Sequence, residues 1–364
     1  MSHLSISKKN EVHLQVKAEP HVYYELSDQF TFEVPGAKFS PAYKKKYWDG
    51  KIRLYSYATG QMYVGLYPYL KDWCNKKNVQ IEEINEIHTI KTHTAADIDE
   101  LVKSYDISIT PRDYQIDAFR YALDYERGLI LSPTASGKSL ISYLLVRHYL
   151  NVIDNNILII VPTTSLVEQL TKDFKDYGWN SEANVHKIYQ GHDKDTNKRV
   201  VISTWQSVYN QPKKWFKQFG TIVGDEAHLF KAMSLTKIMT KLEDCKYRYG
   251  LTGTLDGSKT HKLVLEGLFG TVNKVVSTTE LIEKKQLADL KIFCLILKHG
   301  AIECKHASGM NYQEEMDYIV RSDKRNKYIR NLASGLQGNT LCLFQYVEKH
   351  GKDLHQSIKE KATD

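Results

Sequence analysis

Short apolar runs separated by amphipathic stretches dominate the middle of this chain. The runs at 129–131, 157–161, 200–203, 221–224 and 248–251 are brief and nearly continuous, the pattern of strands buried on both faces. The segments between them, including 138–150 and 165–177, carry apolar residues at helical spacing. Strands alternating with helices predict an α/β fold built on a parallel, doubly wound sheet. Ligands of such sheets bind beyond the carboxyl ends of the strands. The loops at 132–139, 162–169, 204–207, 225–228 and 252–254 all fall at such ends. A further helix is predicted to open at Thr110-Pro111-Arg112-Asp113, with a capping hydroxyl, Pro at N1 and a carboxylate near N3. It should run to about Glu126 and stop by Gly128.

The two ends of the chain have other patterns. Residues 12–16 and 30–34 alternate with the period of strands, Pro35-Gly36 and Asp49-Gly50 mark turns, and 68–75 and 95–105 suit helices. Residues 1–105 are therefore expected to form a small α+β domain ahead of a sheet domain at 106–285. From 286 to 364 the pattern predicts strands at 290–297 and 339–344, with helices around 311–334 and 349–361. One β-α-β-α fragment cannot cover both faces of a sheet, so this last segment is expected to be an incomplete domain. No internal repeat or low-complexity tract is visible.

Composition narrows the class. The chain has 364 residues, room for two or three domains, and its 42% hydrophobic content is that of a soluble protein. No stretch approaches the ~20 apolar residues of a membrane span, and the first residues lack the apolar core of a signal peptide. The five cysteines are scattered and never form Cys-x-x-Cys pairs, so they read as reduced thiols with no disulfide framework or zinc site. A cytoplasmic protein is expected. The net charge of +7 is unevenly spread: residues 38–77 carry a local +7 and seven of the 24 tyrosines, while 78–106 carry −5. That asymmetry suits a surface that meets phosphate on one side.

The loops carry the chemistry. Residues 132–139 read Ser-Pro-Thr-Ala-Ser-Gly-Lys-Ser between a predicted strand and helix. There, backbone N–H groups of Pro133-flanking Thr134, Ala135, Ser136 and Gly137 can surround phosphates, Lys138 can reach the β/γ oxygens, and the Ser139 hydroxyl can ligate Mg²⁺. Residues 225–228 read Asp-Glu-Ala-His after another apolar strand. Asp225 can hold Mg²⁺ through its water shell, and Glu226 can act as base or orienter for an attacking water. Both motifs in this order point to an NTPase that uses Mg²⁺.

Taken in sequence, the loops resemble those of the superfamily 2 helicases and translocases over residues 110–346. Arg112-Asp113-Tyr114-Gln115 resembles that family's adenine-reading element, in which the Gln115 amide would select ATP. Val161 to Gln169 resembles motif Ia, Ser203 to Ser207 motif Ib/Ic, Asp225 to His228 motif II, Leu251 to Thr254 motif III, and Phe344-Gln345-Tyr346 the start of motif IV. The run Lys44-Lys45-Lys46-Tyr47-Trp48-Asp49-Gly50-Lys51, joined to this core, narrows the likeness to phage helicases implied in fork remodelling, branch migration and recombination. The resemblance implies a RecA-like fold (a P-loop NTPase domain followed by the beginning of a second RecA-like domain). It also implies coupling roles for His228, Thr252 and Thr254. DNA contacts would come from Thr163, Ser165, Gln169, Thr204 and Gln206, with Lys44, Lys45, Lys46 and Trp48 contributing from the first domain. The implied partner is DNA, branched or at single-strand/duplex junctions, with RNA–DNA hybrids a further candidate and no membrane. The sequence does not give the oligomeric state.

Departures and alternatives stand beside that reading. Ser132 replaces the first Gly of the strict phosphate-loop pattern, Ala135 sits where Gly is frequent, and Gly253 replaces the commoner Ala of motif III. No motif V and no arginine-rich motif VI follow Gln345, so the chain is expected to be C-terminally truncated and to bind ATP while hydrolysing it weakly. Thr163, Ser165 and Gln169 could equally cap and decorate a helix. The Lys44–Lys51 cluster could be a solvated face with Trp48 in the core. At the level of function, the alternatives are a DNA-binding module regulated by a non-catalytic ATP site and a double-strand translocase that does not separate strands. A metabolic NTPase or kinase is the remote alternative.

Overall fold

The structure is a computed structural model that describes residues 2–231, 233–255, 257–288 and 290–363. Two bodies are distinguished, meeting at Ala288/Asp289. The first third of the chain contributes β1 (His3–Lys8), β2 (His13–Ala18), β3 (Thr31–Glu33), β4 (Lys51–Arg53), β5 (Tyr55–Ser56), β6 (Gln61–Tyr63) and β7 (Gln80–Glu83). Five of them form a sheet ordered β5-β6-β2-β1-β7, and β3 pairs with β4 alone. The alternation in sequence explains the sheet: Leu4, Ile6, Leu14 and Val16 are all buried on one face. Helices Pro20–Gln29, Tyr67–Lys77 and Ala95–Ser104 complete this region. The last opens with a capping box between Thr94 and Asp97.

The central sheet has seven strands: β8 (Arg127–Leu131), β9 (Asn156–Val161), β10 (Val185–Ile188), β11 (Val200–Thr204), β12 (Phe219–Gly224), β13 (Tyr247–Thr252) and β14 (Val272–Lys274). Their order is β10-β11-β9-β12-β13-β8-β14, and every pairing is parallel. In β9, Leu158 and Ile160 enter one hydrophobic cluster while Ile157, Ile159 and Val161 enter the other. Both faces are covered, which is why the run is apolar without alternation. Helices Lys138–Val152 and Thr164–Asp176 lie where helical spacing placed them. The edge strands β10 and β14 were not expected. They are short and mixed in polarity, so no pattern announces them.

The N-terminal sheet shares its core with one face of the central sheet. Leu4, Ile6, Leu14 and Val16 belong to the same cluster as Leu129, Leu158, Phe230 and Phe269. Around it, Arg127 Nη2 donates to the Glu11 carbonyl (3.0 Å) and Tyr69 OH to Glu266 Oε2 (2.7 Å). Gly65 approaches the helix Lys259–Phe269 so closely that a Cβ there would fall 1.9 Å from the Glu266 carbonyl oxygen.

Two expectations are corrected. The helix expected from Thr110 begins at Asp113 and runs to Tyr125, because the cap is made by a different group: Gln115 Oε1 accepts the Arg112 backbone N–H at 2.8 Å. The predicted strands at 290–297 and 339–344 are absent. Leu290, Ile292, Phe293 and Ile296 are exposed, as are Leu341 and Leu343. A strand exists only with a neighbour to bond to, and the second body offers none. It contains the helices Ala301–Ala307, Tyr312–Val320, Asp323–Gly335 and Lys352–Thr363, covering the two helical regions read from sequence.

Candidate nucleotide-binding site

The loop after β8 turns through left-handed backbone at Ala135 (φ 63°) and Gly137 (φ 80°) before the helix Lys138–Val152. Gly137 has both reasons to be glycine, since a Cβ would also lie 2.3 Å from Gln115 Nε2. Ala135 adopts the same region at the cost of strain, of order 1–2 kcal/mol. The unusual Ser132 is fully buried and useful. Its hydroxyl donates to Ser136 Oγ (2.6 Å), which in turn donates to the Pro133 carbonyl (2.6 Å). The Ser132 N–H donates to the Thr252 carbonyl at 2.9 Å, tying the loop to β13.

Gln115 braces this loop from behind. Its amide nitrogen donates to the Ser136 carbonyl (2.8 Å) while its oxygen caps Arg112, and the residue is 4% exposed. Tyr114 OH donates to the same Ser136 carbonyl and receives Arg112 Nη1. The expected adenine-reading role of Gln115 is not what this geometry presents, because both ends of its amide are engaged inside the protein.

Asp225 and Glu226 follow β12, two strands from β8. A cavity of about 290 Å³ is lined by Thr134, Ala135, Gly137, Lys138, Ser139, Asp225 and Glu226 together with residues of the helix Thr164–Asp176. Lys138 Nζ lies 3.9 Å from Glu226 Oε1. Burial first, and the neighbouring Glu226 second, push the Asp225 carboxyl above its usual value. Glu226 holds a left-handed backbone (φ 49°), a strained geometry of the kind found at working sites. The hydroxyl and carboxylate oxygens of Ser139, Asp225 and Glu226 are the hard donors that Mg²⁺ prefers. Among the described residues no group of three or more His, Cys, Asp or Glu is arranged to hold a metal alone. A cation here would therefore complete its shell with phosphate and water.

His228 links this pair to β13. Its Nδ1 is 3.3 Å from Glu226 Oε2 and 2.9 Å from Thr252 Oγ1. Thr252 Oγ1 donates to the Thr254 carbonyl (2.9 Å), so its oxygen is left to accept from His228. A neutral His228 is thereby fixed with its proton on Nδ1. The family resemblance implied a shared role for His228, Thr252 and Thr254, and the structure joins them through hydrogen bonds at Thr252 Oγ1.

The residues expected at DNA divide. Thr163 caps the helix Thr164–Asp176, accepting the Leu166 N–H at 3.3 Å, and shares a hydrogen bond with Ser165 at the exposed helix start. Thr204 ends β11 and Gln206 follows it; β11 is the neighbour of β9, so the loops after the two strands stand side by side. Thr204 is nearly buried with its hydroxyl bonded to Ser207, leaving Gln206 exposed. Gln169 lines the cavity described above, because helical spacing puts it on one wall with Leu166, Leu170 and Asp173. Lys44, Lys45 and Lys46 are exposed, and Trp48 is half-buried with its indole N–H donated to the Lys51 carbonyl (2.9 Å). Tyr177, whose hydroxyl lies 2.7 Å from Ser139 Oγ, and Asp173, which lines the same cavity, were missed. On an amphipathic helix they read as ordinary surface positions.

Comparison with known proteins agrees with this arrangement. The family described as "DNA helicase UvsW, N-terminal" matches residues 4–83, and "Type III restriction enzyme, res subunit" matches residues 108–257. The ATP-dependent DNA helicase uvsW of Enterobacteria phage T4 is 36% identical over 361 residues, spanning 96% of this chain and 72% of that protein. The chain belongs to the UvsW family of superfamily 2 helicases. A crystal structure of T4 UvsW superposes with a TM-score of 0.70 at 34% identity, covering 99% of this chain and 73% of that one. A more distant relative, the DNA 3'-5' translocase XPB2 of Sulfurisphaera tokodaii, is 26% identical over 267 residues, 72% of this chain and 54% of its own length. The UvsW likeness extends over the N-terminal sheet and the RecA-like sheet together. Among the described residues no helix is long and apolar enough to cross a membrane.

Proposed function

We propose that this UvsW-family helicase binds ATP with Mg²⁺ in the cavity between Ser132–Ser139 and Asp225–Glu226 and uses it to remodel branched DNA. The observation that carries the reading is the convergence of Lys138, Ser139, Asp225 and Glu226 on one cavity from two separate strand ends. Lys138 would neutralise β/γ-phosphate charge, and Ser139 and Asp225 would hold the cation. The cation supplies further charge neutralisation when bound. Glu226 would accept a proton from, or orient, the attacking water. His228, Thr252 and Thr254 would pass a change at Glu226 to β13. The paired loops at Thr163–Ser165 and Thr204–Gln206 suit a DNA backbone, since helix starts and hydroxyls bind phosphate without reading sequence. Exposed Lys44, Lys45 and Lys46 with the neighbouring aromatics form a second candidate contact on the N-terminal accessory region.

An ATP-regulated DNA-binding module that does not turn nucleotide over is the second reading. ATPase measured with and without branched DNA decides between them. Stimulation by the junction supports the motor. Intact Mg-nucleotide binding with no stimulation supports the regulated module, and absence of nucleotide binding removes both.

A further inference from the structure

Ser139 does not stand alone at the mouth of its helix. Its hydroxyl lies 2.7 Å from Tyr177 OH, and it offsets part of the rise that burial imposes on the Asp173 carboxyl. Asp173 and Tyr177 are one helical turn apart, on the face that also brings Leu166, Gln169 and Leu170 to the cavity. Both are half-buried. The Tyr177 ring is held edge-on against Tyr143 at 5.3 Å, one turn beyond Ser139 on its own helix. The Tyr143 hydroxyl in turn accepts from Arg147 Nη1 at 2.6 Å. The phenol is therefore fixed before any ligand arrives.

We propose that Asp173 and Tyr177 are positioning residues that orient the Ser139 hydroxyl toward the nucleotide-bound cation. The inference rests on Ser139 being a cation ligand, as set out under the proposed function. A serine hydroxyl can offer a lone pair to a cation only when its proton points elsewhere. Here the acceptor is the Tyr177 phenol oxygen, and the Asp173 carboxylate at the same cavity wall draws the proton toward the helix Thr164–Asp176. With the proton drawn to that side, the remaining lone pairs face the cavity. Outer partners of this kind fix the orientation and raise the basicity of a ligand, and their loss typically costs about 10- to 100-fold in metal affinity. The same helix starts at Thr163 and Ser165. A shift of that helix on contact with DNA would thus be felt at the cation through two side chains.

The test is a titration of a fluorescent N-methylanthraniloyl ADP against the full chain at rising Mg²⁺. Tyr177→Phe keeps the ring and its packing but removes the acceptor, and should raise the Mg²⁺ needed for half-maximal binding about tenfold. Asp173→Ala should raise it by about 10- to 100-fold, and Asp173→Asn, which keeps an acceptor oxygen, should restore most of the loss. Nucleotide affinity without Mg²⁺ should be unchanged in all three. An unchanged Mg²⁺ requirement beside a normal wild type overturns the inference alone. Equal losses with and without Mg²⁺ overturn it too, because they indicate only helix packing. A wild-type chain whose nucleotide binding ignores Mg²⁺ removes the reading of Ser139 and the inference with it. If Asp173→Ala fails to fold, Tyr177→Phe decides.

Discussion

Lys138 Nζ and Glu226 Oε1 lie 3.9 Å apart at the ends of β8 and β12, with β13 between those strands. A cation and an acid from two distant stretches of chain face one another across a cavity sized for phosphate groups. The proposed function gives them different roles, so substitution can separate the two.

Removing the lysine should act on binding. Lys138→Ala is expected to weaken ATP affinity by about 10- to 100-fold, the value of hydrogen bonds to charged groups expressed as an equilibrium constant. DNA affinity, read by fluorescence anisotropy, should be largely retained, since Lys138 faces the cavity. Retained ATP affinity in this variant would refute the phosphate-loop assignment.

Removing the acid should act on turnover. Glu226→Gln keeps the size and the hydrogen-bonding reach toward His228 but cannot take a proton. Nucleotide binding should persist, while single-turnover hydrolysis falls by about 10²- to 10⁴-fold. Hydrolysis at the wild-type rate would show that another group serves the water.

The N-terminal sheet should be separable from the site by a single methyl group. In Gly65→Ala the new Cβ meets the Glu266 carbonyl at 1.9 Å, a backbone atom that cannot swing aside. A loss of about 1–3 kcal/mol in denaturant-measured stability is expected, the usual cost of overpacking. Wild-type stability would mean that the contact yields more easily than its geometry implies.

Acid should weaken the fold through half-buried histidine. Burial, with His93 and Lys91 nearby, pushes His148 from its usual 6.5 down to about 4. Between those values the unfolded chain binds a proton at this site that the folded chain refuses. Stability therefore rises with pH across the window. This contribution is complete above about pH 6.5 and is lost as pH falls toward about 4. Urea melts of His148→Gln should show a flatter pH dependence in that range than wild type. Identical slopes would assign the acid sensitivity to other groups, His88 first among them, since its burial also brings it to about 4.

The sheet and the phosphate loop were legible because burial on two faces leaves no room for polar residues in β9 or β12, and because phosphate chemistry admits few side chains. The bracing of the loop by Gln115 was not legible. An amide on an amphipathic helix looks the same whether it faces adenine, solvent or a carbonyl such as that of Ser136. Asp173 and Tyr177 were hidden for the same reason: helical spacing tells which residues share a face but not what that face meets. The apolar runs at 290–297 and 339–344 failed in the opposite direction. Their composition states a preference for pairing, yet a preference without a partner strand produces no ladder.

The hydrogen bond from Ser132 to Thr252 has a mechanical meaning. It ties the loop to the neighbouring strand, so the two would move as one if a terminal phosphate left the cavity. Under the proposed function, the response would then fall to the imidazole of His228 and the carboxylate it touches. A change of rotamer at that pair would be enough to report that nucleotide has been spent.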